Sequence, residues 1–350
     1  MLLDGLQLPL TTPFYPDGRL NLPKLEHNVM RYSKTPAAGL VALGETGDRT
    51  MLSDEETRHV LRSVAAVATV EKVLIAGVSR DSVAGTLDLA EAAAEYGYDA
   101  VLVRRPSILR QDRTKELIAY FQAVADQSVL PVLLCSSNSQ DGAILPEESV
   151  IELARHSKII GIVDGAGDRG WIEAIKAGSA NVKHTVTVTT VFAAVTGRME
   201  SRSEGSEAKD LILATSLTDG GAAVAVAHSK PMVTRTKVVG FQILAGATGG
   251  MLESLRQGAV GAMPAFAAAA PQACYEVLAA WKDGDEGLAR EKQVRLQDVA
   301  ARVERQLGVA GIKFGCDLNG YFGGRPRLPL LPLSGEERAE IEALMQGMRN

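Results

Sequence analysis

Lys158-Ile-Ile-Gly-Ile-Val-Asp-Gly-Ala-Gly-Asp168 is the stretch that decides the fold. Ile159–Val163 is a short apolar run rich in β-branched residues. Bounded by turn residues, such a run reads as a buried strand. It ends in the polar turn Asp164-Gly-Ala-Gly-Asp168, and a helical pattern starts at Trp171.

The same unit recurs on both sides. Upstream strand candidates are Leu6–Thr12, Gly39–Leu43, Val73–Val78, Ala100–Val103 and Pro131–Leu134; downstream they are Val238–Leu244 and Ala259–Met263. Helical patterns lie between them. Leu22–Tyr32 has Asn21 as its N-cap, and Ser53-Asp-Glu-Glu56 is a capping box opening a helix that runs to about Val67. Ser79–Ser82 opens another, followed by Lys115–Asp126 and Pro146–Ala154. Short Val/Ile/Leu-rich strands alternating with helices predict parallel βαβ units. Eight of them close an α/β (β/α)8 TIM barrel.

The rhythm breaks after Ala177. Residues 183–236 read as a β-rich insertion before strand 7, with strand candidates Lys183–Val195, Leu211–Ala214 and Ala222–His228. The expected organisation is a barrel over 1–270, interrupted by that insertion, then a C-terminal helical extension over 271–350. Ala273–Trp281, Leu288–Leu307 and Gly335–Met348 carry the extension's helical patterns, with the Pro/Gly segment Gly323–Leu330 between the last two. The insertion is expected either as a lid over the mouth or as an oligomer contact. In the first case His184 or His228 would supply a base there.

Composition narrows the function classes. The chain has 350 residues, 46% hydrophobic and 23% charged, with a net charge of −5 spread along it. No basic stripe points to nucleic acid. No apolar run reaches the roughly 18–20 residues of a membrane helix. The N-terminus lacks the basic and apolar regions of a secretory leader. Cys135, Cys274 and Cys316 are spaced for neither a disulfide framework nor a zinc site. A cytoplasmic protein without nucleic-acid or membrane partners is expected.

Thr12-Pro13-Phe14 with Asp17-Gly18, Gly44-Glu-Thr-Gly-Asp48 with Leu52–Glu56, Ile75–Val78, Gly97–Val103, Leu130–Leu134, Ile159–Asp168 and Arg327-Leu-Pro-Leu330 form an ordered set. In order and spacing this set resembles the dihydrodipicolinate synthase/N-acetylneuraminate lyase family along almost the whole chain except the insertion. The resemblance implies a TIM barrel with C-terminal helices, a homo-oligomer (dimer or tetramer), and lyase or aldolase chemistry on 2-oxo acids such as pyruvate. It also implies a Schiff-base lysine on strand six, since a desolvated lysine can attack a ketone. The matching position here is Val163, which cannot form an imine. The family's tyrosines match Cys135 and Ile108, its first threonine after strand two matches Glu45, and its carboxylate-binding arginine matches Gln140. The second threonine is kept as Thr46.

Active sites of such barrels lie at the C-terminal ends of the strands. The residues collected there include Thr11, Asp48, Ser79 and Asp168. Among them, Glu45, Thr46, Cys135 and Asp164 are the candidate catalytic residues, and Thr12, Arg104, Arg105, Ser136 and Asn138 are the candidate substrate-binding residues. Arginine suits bidentate recognition of a carboxylate. Glu45 and Asp164 with Asp48 or Asp168 offer oxygen ligands to a divalent cation. Asp168 precedes a helix, however, and fits an N-cap better, so neither metal nor cofactor is expected. Two functions remain: a lyase of this kind working on, or binding, a small 2-oxo acid without an imine, or a catalytically silent paralogue that binds a ligand or partner subunit.

Overall fold

A computed structural model describes residues 1–109, 113–136, 144–165, 169–202 and 233–348. Six strands come first: β1 (Gly5–Pro9), β2 (Gly39–Ala42), β3 (Val73–Gly77), β4 (Ala100–Arg104), β5 (Val132–Ser136) and β6 (Ile159–Asp164). β7 (His184–Thr189) and β8 (Thr234–Val239) follow, then β9 (Gln242–Ala245) and β10 (Gly261–Ala262). The barrel closes in the order β1-β10-β9-β6-β5-β4-β3-β2, each neighbouring pair parallel. The α/β TIM barrel expected from the sequence is therefore the fold.

Local signals act as read. Leu22–Tyr32 is a helix whose N-cap, Asn21, accepts the Lys24 N–H. Ser53 and Glu56 exchange both capping-box bonds. Alternation along the strands sends one set of side chains inward, where Val41, Ile75, Leu102, Leu133 and Leu244 fill the barrel. The other set meets the surrounding helices. β6 departs from strict alternation, because its register against β5 shifts between Val132 and Leu133. Ile160 and Val163 both face the barrel interior, while Ile159 and Ile162 face the helices.

The insertion corrects one expectation. β7 and β8 pair antiparallel from His184↔Val239 to Thr189↔Thr234, so Val238 and Val239 belong to this hairpin rather than to the seventh barrel strand. The hairpin packs Val186 and Val188 on Leu2, and Ala194 joins the interior cluster from below together with Met1. Thr196 Oγ1 donates to Val70 O, the Gly197 N–H to Asp99, and the Arg198 guanidinium to Ala68 O and Lys72 O. All four acceptors precede β3 or β4. The described part of the insertion thus closes the N-terminal end of the barrel and is not a lid. His184 lies at that end, far from a base's position. The candidates Leu211–Ala214 and Ala222–His228 fall outside the described residues.

In the extension, Pro271–Lys282 and Glu286–Val299 are α-helices, and the latter runs on as a π-helix over Ala300–Gln306. An unexpected helix, Gly308–Leu318, follows. Its glycines lower helix propensity, yet packing demands one of them: a Cβ on Gly315 would come 2.9 Å from Ala269 Cβ and 3.0 Å from Met345 Sδ. This helix carries Lys313, whose Nζ lies 2.6 Å from Asp48 Oδ2 with both side chains fully buried. Lys313 Nζ and the Arg327 guanidinium also lie 4.5 and 4.4 Å from the centre of the Phe14 ring. Arg327 binds Glu56 through two bonds of 2.8 and 2.7 Å and donates to Met51 O.

Removing one partner of a buried ion pair strands the other charge, at a cost of about 3–5 kcal/mol. Lys313→Met should destabilise the fold by that order in urea denaturation, and adding Asp48→Asn should restore part of the loss. A single-variant cost below about 1 kcal/mol would mean that the pair does not hold the extension to the barrel.

Candidate active site

The C-terminal ends of the strands form a mouth. Arg104, Cys135 and Val163 are neighbours across it, as the pairings Arg104↔Cys135 and Cys135↔Val163 show. Arg104 follows the inward residues Ala100 and Leu102 on alternating positions of β4, and Cys135 follows Leu133 on β5. A small cavity opens there. Leu102, Cys135, Ser136 and Val163 line it from the strands, with Pro9 at the end of β1. Glu45, Gly165, Gly246, Met263 and Ala265 line it from the loops.

Glu45 and Arg49 belong to one loop, held in a particular shape. Leu43 and Asp48 take left-handed conformations, with φ of 57° and 52°. A Cβ on Gly47 would strike the Leu43 backbone at 2.5 Å, and one on Gly77 would strike Leu43 O at 2.0 Å. Thr46 Oγ1 donates to Leu10 O at 3.0 Å and Thr12 Oγ1 to Gly47 O at 2.7 Å. These two buried threonines brace the loops after β1 and β2 against each other, and they stand behind the lining residues.

The other candidates separate. Ser136 is buried and accepts the Leu145 N–H at 3.1 Å. Asp164 is fully buried, but the shift in β6 turns it away from the inward face that Val163 occupies, and it does not line the cavity. Ile108 is 73% exposed. Asn138, Gln140 and Asp168 lie outside the described residues. Asp48 is spent on Lys313, so Glu45, Asp48 and Asp164 are not gathered around a common point. Among the described residues no group of three or more His, Cys, Asp or Glu is placed to hold a metal ion.

Charge is uneven around the mouth. Arg80 is neutralised by Asp54, with bonds of 3.0 and 2.9 Å, and also donates to Thr57. Arg49 is half-buried on the 3-10 turn Arg49–Met51. Burial above all, and then the neighbouring Arg104, lower its pKa to about 10, while Cys135 and Glu45 pull the other way. Burial, reinforced by Glu45, pushes the Cys135 thiol up to about 12 despite Arg104 and Arg49 nearby. Cys135 is therefore a neutral thiol at physiological pH and not a resting thiolate.

Arg49 went unmarked in the sequence, although it directly follows the Gly44–Asp48 turn. Glu304 was also missed, and no local signal singles it out. It projects from the π-helix and accepts the Phe266 N–H at 3.1 Å, the Thr248 N–H at 3.4 Å and the Thr248 hydroxyl. Those donors sit just behind Gly246 and Ala265. Burial raises the Glu304 carboxyl to about 7 against the pull of its donors, with Glu45 adding to the rise. The glycines after β9 serve packing, since Gln293 Nε2 donates to Thr248 O and Gly249 O.

A closed parallel barrel with a cavity at the C-terminal ends of its strands places the chain in the TIM-barrel class. The sequence model of the Dihydrodipicolinate synthetase family matches residues 2–188 and 225–348, and the chain belongs to that family. It is 26% identical over 342 residues to a 4-hydroxy-tetrahydrodipicolinate synthase of an Exiguobacterium species, covering 98% of this chain and 97% of the relative. It is equally 26% identical over 355 residues to an L-threo-3-deoxy-hexylosonate aldolase of Hypocrea jecorina, covering 99% and 95%. Among solved structures, YagE, a prophage protein of E. coli K12 in complex with pyruvate, superposes with a TM-score of 0.77 at 23% identity over 99% of both chains. A dihydrodipicolinate synthase of Bacillus anthracis gives 0.78 at 20% identity over the whole of both. At these identities the superpositions show the fold.

Two outcomes follow from the geometry. Cys135, Cys274 and Cys316 are all buried, so iodoacetamide at pH 8 should leave Cys135 unlabelled until the protein is denatured; rapid native labelling would show the thiol to be activated. Glu304 moves from about 4.5 when unfolded to about 7 when folded. For an acid raised in this way, its contribution to stability is present below pH 4.5 and lost as pH rises through 7. Unfolding free energy should therefore fall by about 3 kcal/mol over that window. Glu304→Gln should flatten the curve, and an unchanged slope would remove Glu304 as its source.

Proposed function

We propose that the chain is a lyase of this family that takes a small, pyruvate-like 2-oxo acid into the mouth and acts on it without an imine. The observation that carries this reading is Val163. It lines the cavity at the top of β6's inward face, where the family resemblance places the nucleophilic lysine. Among the described residues no lysine lines the cavity, and the buried Lys313 is held by Asp48. The names of the relatives, a synthase and an aldolase, support lyase chemistry. YagE, solved with pyruvate, supports the ligand class.

Of the lining groups, Cys135 is held as a thiol, which leaves Glu45 as the proton acceptor. A carboxylate within reach of carbon 3 of a bound 2-oxo acid would remove a proton there to give an enolate, and would return it in the reverse direction. Thr12 and Thr46 hold the Glu45 loop in place, and Ser136 adds a polar group to the wall. The described part of the insertion lies at the opposite end of the barrel, which favours this reading over a silent paralogue whose mouth that segment fills. The same reading includes a cytoplasmic homo-oligomer, a dimer or tetramer as the resemblance implies.

Borohydride treatment with pyruvate and a panel of 2-oxo acids, followed by intact-mass measurement, should leave the protein unmodified. At least one of those acids should raise its melting temperature. A stable adduct mapped to a lysine would overturn the imine-free route. Absence of stabilisation by every acid would overturn the ligand class.

A further inference from the structure

Two of the mouth's cations have no counter-ion among the described residues. Arg80 is satisfied by Asp54, and Arg105 already has a partner. The Arg49 and Arg104 guanidinium groups make neither a hydrogen bond nor an ion pair with any described residue. Both are half-buried. Arg104 stands in the inward row beside Cys135, and Arg49 stands on the Glu45 loop, close enough to Arg104 for the two charges to repel. Guanidinium groups held together, partly out of water and unpaired, are costly in the empty protein. The anion that relieves the cost is one matched to their planar donor forks, a carboxylate above all. Against these two cations the described residues lining the cavity set one carboxylate side chain, Glu45. Counting these three groups alone, two positive charges less one leave one, so a singly charged ligand balances them and a doubly charged one overshoots.

We propose that Arg49 and Arg104 form the carboxylate clamp of the mouth, and that the site selects monocarboxylates over dianions and neutral analogues. This deepens the 2-oxo acid reading and rests on it for the rest of the ligand. The clamp lies on the loop after β2 and at the end of β4.

Calorimetry on the full chain tests the clamp with pyruvate, propanoate, pyruvamide and oxaloacetate, on wild type, Arg49→Gln and Arg104→Gln. The wild type should bind pyruvate more tightly than pyruvamide or oxaloacetate. Each substitution should weaken pyruvate binding by about 10- to 100-fold, the loss expected for a charge-assisted hydrogen bond, and leave pyruvamide unchanged. Melting curves of the ligand-free variants give an independent readout. A structural arginine would lower the melting temperature when removed, whereas relief of repulsion should leave it level or raise it. Unchanged pyruvate affinity in both variants overturns the clamp and leaves the 2-oxo acid reading standing. Propanoate binding as tightly as pyruvate, with the same dependence on Arg49 and Arg104, upholds the clamp and removes that reading. Tighter binding of oxaloacetate than of pyruvate overturns the selection by charge, and no carboxylate binding to the wild type overturns the clamp altogether.

Discussion

The buried contact between Asp48 and Lys313 is the interaction on which the mouth depends. Neither side chain reaches solvent. Burial raises the Asp48 carboxyl and lowers the Lys313 ammonium, and each charge offsets part of the other's loss of hydration. Such a pair adds little net stability by itself, but it is severe about geometry, because each partner is costly without the other. It joins the loop after β2 to a helix of the C-terminal extension. Asp48 also sits three residues after Glu45 and one before Arg49. Fixing Asp48 in its left-handed conformation therefore fixes how both neighbours approach the cavity.

Other contacts make that loop rigid from different sides. Thr46 and Thr12 exchange bonds with the carbonyls of Leu10 and Gly47, so the loops after β1 and β2 position each other. The Glu56–Arg327 fork ties the next helix to the same C-terminal segment, and the arginine beside it holds Glu56 down at about pKa 2. Phe14 lies against both Lys313 and Arg327. The extension, although remote from the cavity in sequence, is thus the back support of its most charged loop. Glu304 does the corresponding work on the other side, binding the loops after β9 and β10 from a π-helix.

The barrel was legible because its signals are local and repeated. Apolar runs such as Val73–Gly77 and Val132–Ser136 show their period within a few residues, and the Ser53/Glu56 box and the Asn21 cap state their own geometry. Where one residue more or less decides a side chain's direction, the sequence was silent. The register shift in β6 sends Val163 inward and Asp164 outward, whereas strict alternation from Ile160 would have done the reverse. The helix Gly308–Leu318 was hidden because its glycines answer to a tertiary contact and run against propensity. The hairpin's strand character was plain in Val186–Val188, but its seat at the base rests on contacts with Leu2, Val70 and Asp99, far away in sequence. Arg49 and Glu304 were missed for the same reason: what distinguishes them is their neighbours in space.

The two ends of the barrel show why the unpaired charges fall where they do. At the base the β7–β8 hairpin is built for closure: apolar residues plug the interior, and the Arg198 guanidinium meets the carbonyls of Ala68 and Lys72. There the Thr196 hydroxyl, the Gly197 N–H and the Arg198 guanidinium each find an acceptor, although His184 Nε2 and Arg198 Nε do not. At the mouth pairing is divided. Arg80, Arg327 and Lys313 are each given an acid, while Arg49 and Arg104 are given none among the described residues. Among the described residues, charge pairing is thus made in the supporting ring and withheld at Arg49 and Arg104. A scaffold selected only to be stable would gain by placing a carboxylate between those two arginines. This one leaves the space open, as expected where the missing charge arrives with a ligand.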